Sequence, residues 1–141
     1  MNKVELLQIL RDSGMRITKL RSLIIEIILE NGKPISAPEI LEAVRKHVSS
    51  VNKTTIYRCL DTLLEKDIVK KVYLNSDLLH YELSFLPHHH HATCTTCGKV
   101  QEVSSHELEK AVANLESSVI DSGFAVKDHI IELRGKCQTC Q

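Results

Sequence analysis

Apolar residues recur at helical spacing through the first half of the chain. Val4, Leu7 and Leu10 share one face of residues 3–12, and Gly14 closes that stretch. The same period resumes near Lys19, runs through Leu23, Ile24, Ile27 and Ile28, and stops at Asn31-Gly32. Ser36 with Glu39 makes an S-x-x-E capping box for a third helix, whose inner stripe is Ile40, Leu41 and Val44. A fourth helix starts near Asn52 and carries Ile56, Cys59, Leu60 and Leu63 on one face. The pattern then shortens: "IVKKVYL" and "LLHYELS" flank Asn75-Ser76-Asp77 as two strands flank a turn. Short helices followed by a hairpin predict a winged helix-turn-helix.

After Pro87 the character changes. "KVQEV" reads as a strand, residues 105–122 as a helix capped by Ser104 with Glu107, and "AVKDHIIELRG" as another strand. Cysteine pairs open and close this part. The expected class is α+β, with a winged-helix domain at residues 1–83, a hinge and metal-binding linker at 84–91, and a small α/β domain at 92–141 that carries a four-cysteine zinc site.

Composition narrows the function classes. A chain of 141 residues makes one or two small domains, and an apolar fraction of 43% is enough for a core. No apolar run approaches the ~18 residues of a membrane helix, and charges interrupt the N-terminal apolar pattern, so neither a membrane span nor a secretory signal is expected. The expected location is the cytoplasm, where thiols stay reduced. The net charge is zero, but residues 1–83 hold 13 Lys and Arg against 11 Asp and Glu, and the remainder holds 5 against 7. That asymmetry permits a nucleic-acid partner if the basic side chains cluster.

The metal chemistry is more specific. Cys94-x-x-Cys97 and Cys137-x-x-Cys140 present four soft ligands at knuckle spacing, which suits one structural Zn2+. The competing reading is redox or disulfide pairs, but no thioredoxin-like βαβ pattern accompanies them. Cys59 lies on the apolar face of its helix and reads as a small buried hydrophobe. Between the halves lie four consecutive histidines. In an extended chain His88 and His90 point one way and His89 and His91 the other, so one run could serve two metal sites. Further ligands are available in His80, Glu82, Glu102, Glu109 and His129, and spacing alone does not choose among them. No H-E-x-x-H, deaminase signature or nucleophile elbow is present, so neither an enzyme nor a small organic substrate is expected.

The order "TTIYR", a hairpin, "HHHH-x-x-C-x-x-CG" and a terminal C-x-x-C, spanning "GMRITKLR" to "CQTC", resembles the ferric uptake regulator family of metal-dependent repressors. The resemblance implies a cytoplasmic homodimer whose C-terminal α/β domain is the dimerisation domain. It implies a structural zinc on Cys94, Cys97, Cys137 and Cys140. A regulatory site would take Glu82, His89, His91 and Glu102, and a site in the dimerisation domain His88, His90, Glu109 and His129. Tyr57 and Arg58 match the family's DNA-contacting pair, Arg16 a residue entering the minor groove, and Arg21 a backbone contact. Lys53, Thr54 and Thr55 open the same helix with groove-compatible side chains.

Two departures bear on the metal. Iron-sensing members bring a histidine from before the third helix, where this chain has "NGKPIS"; His80, on the strand face of Glu82, is the candidate replacement. Iron-type members often have Asp where His90 stands, and an all-imidazole run favours Zn2+ over Fe2+ as regulatory metal. The expected function is therefore a metal-responsive repressor of the zinc uptake regulator type, binding a palindromic double-stranded DNA operator as a homodimer. An iron(II)- or peroxide-sensing member of the family, and a zinc-ribbon protein-interaction module, are the alternatives.

Overall fold

The computed structural model describes residues 14–74 and 78–141 together with Gln8, Leu10 and Asp12. Most of the expected first helix and the Asn75-Ser76-Asp77 turn therefore lie outside the described residues. The chain divides into two compact units, one ending at Leu86 and the other starting at Pro87.

In the first unit, α1 spans Lys19–Asn31; Thr18 Oγ1 accepts from the Arg21 N–H at its start, and Gly32 ends it at φ 64°. That left-handed conformation is one glycine adopts without a Cβ penalty. A two-residue strand β1, Ile35–Ser36, leads into α2, Ala37–Arg45. The box predicted there forms: Glu39 Oε2 accepts from Ser36 N at 2.8 Å and from Ser36 Oγ at 2.5 Å. Helix α3 is Lys53–Glu65, capped by Asn52. Strands β2, Val69–Val72, and β3, His80–Leu83, complete an antiparallel sheet in the order β1-β3-β2. The helices bury Ile24, Ile25, Ile28, Ile40, Val44, Ile56, Leu60 and Leu63 against Val69, Tyr81 and Leu83 of the sheet. At about 1.5–3 kcal/mol for each large side chain, this core carries the unit, and it leaves the polar face of α3 outward.

The second unit is built differently. Strand β4, His90–Cys94, is central, with β5, Val100–Val103, antiparallel on one side and β6, Glu132–Gly135, parallel on the other. Helix α4 spans His106–Asp121. Two sequence expectations need correction. The cap of α4 is Ser105, whose Oγ accepts from Leu108 N, while Glu107 bonds that hydroxyl and so forms no box with Ser104. The last strand is only Glu132–Gly135, because β4 offers it partners only from His91 to Cys94. The histidine run, read only conditionally as extended, enters β4 directly.

No residue of α4 is buried, and Leu115, Ile120, Phe124, Ile130 and Leu133 are all more than half exposed. The buried side chains of the second unit are His90, His91, Thr93 and Cys94. Its interior is thus made of imidazole, thiol and hydroxyl groups. Among the described residues no helix is long and apolar enough to cross a membrane.

Candidate functional site

Cys94 ends β4, Cys97 lies on the following turn, and Cys137 and Cys140 follow β6. The register of β4 with β6 sets Cys94 beside Gly135, and Thr95 N donates to Gly135 O at 2.8 Å, which clamps the two knuckles together. One sulfur from each cysteine lies within 4.8 Å of the others. Cys97 and Cys137 sulfurs are 3.7 Å apart; a tetrahedron with Zn–S of ~2.3 Å has edges of about 3.8 Å. The donors fit a zinc ion.

Without a cation the four thiols cannot be equivalent. Backbone N–H groups of Cys137, Cys97 and Thr96 point at the Cys94 sulfur and pull its pKa down to about 6. The Thr139 hydroxyl, first among several hydrogen bonds, lowers Cys137. The neighbouring thiols of Cys137 and Cys97 push Cys140 up to about 12. Full ionisation of the tetrad needs a positive charge at its centre, which a divalent ion supplies.

A second constellation lies in the same unit. Rings of His88 and His90 have centroids 4.8 Å apart, as do those of His88 and His129. His90 Nε2 donates to Glu109 Oε1 at 2.9 Å, His88 Nε2 lies 3.4 Å from Glu109 Oε2, and His88 Nε2 and His129 Nε2 are 3.1 Å apart. Nitrogen and oxygen ligands ~2.0–2.2 Å from a tetrahedral ion sit about 3.3–3.6 Å from each other. Three imidazoles and one carboxylate therefore stand close to the spacing of a ligand shell, and His90 is only 4% exposed. Glu109 comes from α4, one turn past its cap, and His129 from the segment before β6.

The odd-numbered histidines form their own pair. His89 and His91 rings have centroids 4.8 Å apart, and His91 lies opposite Glu102 in the antiparallel ladder, so their side chains share one sheet face. Glu102 is exposed and His91 buried.

On α3, Lys53, Thr54, Tyr57 and Arg58 are exposed, with Lys53 Nζ 5.4 Å from the Tyr57 ring centroid. Thr55 donates its hydroxyl to the cap Asn52 at 2.9 Å, so part of its hydrogen-bonding capacity goes to starting the helix. Arg16 is exposed before α1. Arg21 is half-buried and its Nη1 donates to the Arg16 carbonyl at 2.6 Å, fixing the backbone from which Arg16 projects.

The model of the "Ferric uptake regulator family" matches residues 12–134. The chain belongs to the ferric uptake regulator family. The ferric uptake regulation protein of Synechococcus elongatus is 30% identical over 135 residues, covering 94% of this chain and 90% of the relative. The Helicobacter pylori ferric uptake regulator, described as having three functional metal binding sites, superposes with a TM-score of 0.82 over 99% of this chain and 94% of its own; at 22% identity it shows the fold. A zinc uptake regulator complexed with zinc and DNA is 29% identical, with a TM-score of 0.68 and coverage of 96% and 90%. As a member of this family the chain is a metal-binding, DNA-binding transcription regulator and repressor, not an enzyme.

Glu82, expected from the family pattern, and His80, the candidate replacement for the missing histidine, both have partners within the first unit. Glu82 is buried in β3 and pairs with Lys70. His80 Nδ1 lies 2.9 Å from Leu78 O, and in the ladders His80 faces Ser36 on one side and Val72 on the other. Two carboxylates went unremarked in the sequence. Glu132 lies beside His91 in the β4–β6 ladder and is gripped by Arg134 at 2.8 Å. Glu116 accepts from His129 Nδ1. Parallel register over long separation leaves no local mark, so Glu132 had no signal. Glu116 had one: it stands seven residues after Glu109, on the same helix face.

Proposed function

We propose that this regulator is a cytoplasmic homodimeric repressor that binds a palindromic operator when its regulatory site is loaded, with Zn2+ as the regulatory ion. Cys94, Cys97, Cys137 and Cys140 hold a structural zinc. His88, His90, Glu109 and His129 hold a second ion in the dimerisation domain. The regulatory ion is held by His89, His91 and Glu102, with Glu82 completing the set as the family pattern implies. Arg58, Tyr57, Lys53 and Thr54 face the groove, Thr55 opens their helix, Arg16 enters the minor groove, and Arg21 supports Arg16.

The observation that carries the zinc reading is the imidazole-rich donor set, since every position of the run is histidine; zinc favours imidazole, and nitrogen-rich sites discriminate poorly for iron. Dimerisation is supported by the exposed apolar side chains of α4 and the segment after it, in a unit too poor in apolar burial to be stable alone. A two-fold dimer reads a two-fold operator. The bound ion must favour the DNA-competent arrangement, and such couplings are typically about 1–3 kcal/mol. His80 joins the regulatory ligands only if its ring leaves the Leu78 carbonyl.

The test is to select DNA from a random pool with the dimer and each metal, then titrate Zn2+, Fe2+ and Mn2+ at buffered free concentration in a mobility-shift assay. Zinc giving half-shift at the lowest free concentration relative to its cellular set point supports the reading. An iron(II) response that zinc cannot reproduce returns the protein to the iron-sensing branch, which the many relatives named for ferric uptake regulation favour.

A further inference from the structure

Helix α4 presents two carboxylates to the histidine cluster, and they meet it differently. Glu109 bonds His90 and approaches His88. Glu116, two turns further on, does not join that shell; its Oε1 lies 2.8 Å from Nδ1 of His129, on the far side of the ring from the cluster. A carboxylate only accepts, so Nδ1 of His129 carries the proton. In the neutral ring Nε2 is then a bare lone pair, and it is Nε2 that lies 3.1 Å from Nε2 of His88 among the converging donors.

We propose that Glu116 is the positioning residue of the metal centre formed by His88, His90, Glu109 and His129: it fixes the His129 tautomer and ring orientation so that Nε2 is ready to ligate. This rests on reading that cluster as a metal centre. The carboxylate–imidazole–ion arrangement raises ligand basicity and removes the need to expel a proton from the ligating nitrogen. His129 needs such a fixture because it comes from outside any strand or helix, whereas His90 is held by β4 and Glu109 by α4. The pair is also shielded: His129 and Glu116 side chains are 25% and 33% exposed, so water competes only in part for the bond.

The experiment uses the full-length dimer with its four-cysteine zinc retained, as wild type, Glu116→Ala, Glu116→Gln and His129→Ala. Long-range 1H–15N spectra before further metal is added read the His129 tautomer. Competition with a chromophoric chelator reads Zn2+ affinity for the next equivalent, and Co2+ absorption reads its ligand field. The expected wild-type ring is Nδ1–H, and His129→Ala should lose the added equivalent. Glu116→Ala should shift His129 toward Nε2–H and weaken zinc by about 10–100-fold, the usual cost of losing an outer-shell partner. Glu116→Gln, whose amide oxygen still accepts, should keep the tautomer and recover most of the affinity. An unchanged tautomer and affinity in Glu116→Ala overturns the role of Glu116 alone. A wild type whose added equivalent is insensitive to His129→Ala overturns the metal-centre reading itself, and the role with it.

Discussion

Lys70 Nζ lies 3.0 Å from Glu82 Oε1, directly across the β2–β3 ladder, with the carboxylate side chain only 4% exposed. A buried carboxylate depends on such charge compensation, and removing the partner costs more than the pair contributes. Lys70→Met should therefore destabilise the metal-free protein by about 1–3 kcal/mol, below the fully buried case because Lys70 is partly solvated. If Glu82 ligates the regulatory ion, saturating zinc should recover part of that loss. Urea melts with and without zinc measure both, and an equal loss in the two conditions removes Glu82 from the ligand set.

Cys97→Ser should give a protein with less than one tightly held zinc and no stable dimer. Structural zinc contributes on the order of 10 kcal/mol in small domains, and the second unit has no apolar core to fall back on. Metal analysis with sedimentation checks it. A stable dimer with undiminished zinc would dismiss the assignment.

Arg58→Ala should weaken operator binding while leaving metal content and dimer mass unchanged, because the side chain is exposed on α3 and serves no core contact. For a phosphate contact, affinity on all sequences falls alike and the salt slope drops by about one unit. Arg21→Ala should also weaken binding, through loss of its 2.6 Å hold on the Arg16 carbonyl. Salt-dependent anisotropy distinguishes the two.

His89→Ala and His90→Ala should differ although they are neighbours. The first removes a regulatory ligand and should abolish metal-dependent DNA binding. The second removes the buried partner of Glu109 and should chiefly lower dimer stability or shift the metal response. Indistinguishable metal-titration curves for the two variants would end the two-site reading.

The capping box gives a pH test. Burial alone would raise the Glu39 pKa, but the Ser36 hydroxyl and N–H, with His80 and Lys33 nearby, bring it below its ordinary value. A depressed carboxylate stabilises the fold above its unfolded pKa, and that contribution disappears as pH falls through the folded value. Glu39→Ala should cost about 1 kcal/mol at neutral pH, with the gap to wild type narrowing in acid below about pH 4. Thermal melts across pH measure it.

The first unit was legible because its signals are local: isoleucines at helical spacing, and the box at Ser36 and Glu39 that names a side chain and its partner. The cap of α4 was misread by one residue because Ser104 and Ser105 are chemically equal, and only the backbone at Ser105 decides. The last strand looked longer because "HII" continues an apolar run, but β4 is too short to pair with it. Exposed Leu115 and Leu133 could not be told from core leucines, since what covers them is not in their own spacing. The grouping of the four cysteines follows from knuckle spacing, and the even–odd division of the histidines follows once the run is taken as extended. Which carboxylate meets which histidine depends on pairings between residues 11 to 41 positions apart, and that emerges only on folding.

The four histidines that lead into and open strand β4 alternate between two groups, His88 with His90 and His89 with His91, and this makes the length of the run a different kind of quantity from its composition. Exchanging one side chain changes one donor and leaves the other constellation standing. Inserting or deleting one residue between His89 and His90 would flip His88 and His89 relative to β4, delivering each to the opposite face of the sheet. Both constellations would lose a donor at a stroke and gain one aimed from the wrong neighbour. Metal preference in this scaffold can thus drift by single substitutions, whereas the reading frame of the strand is locked.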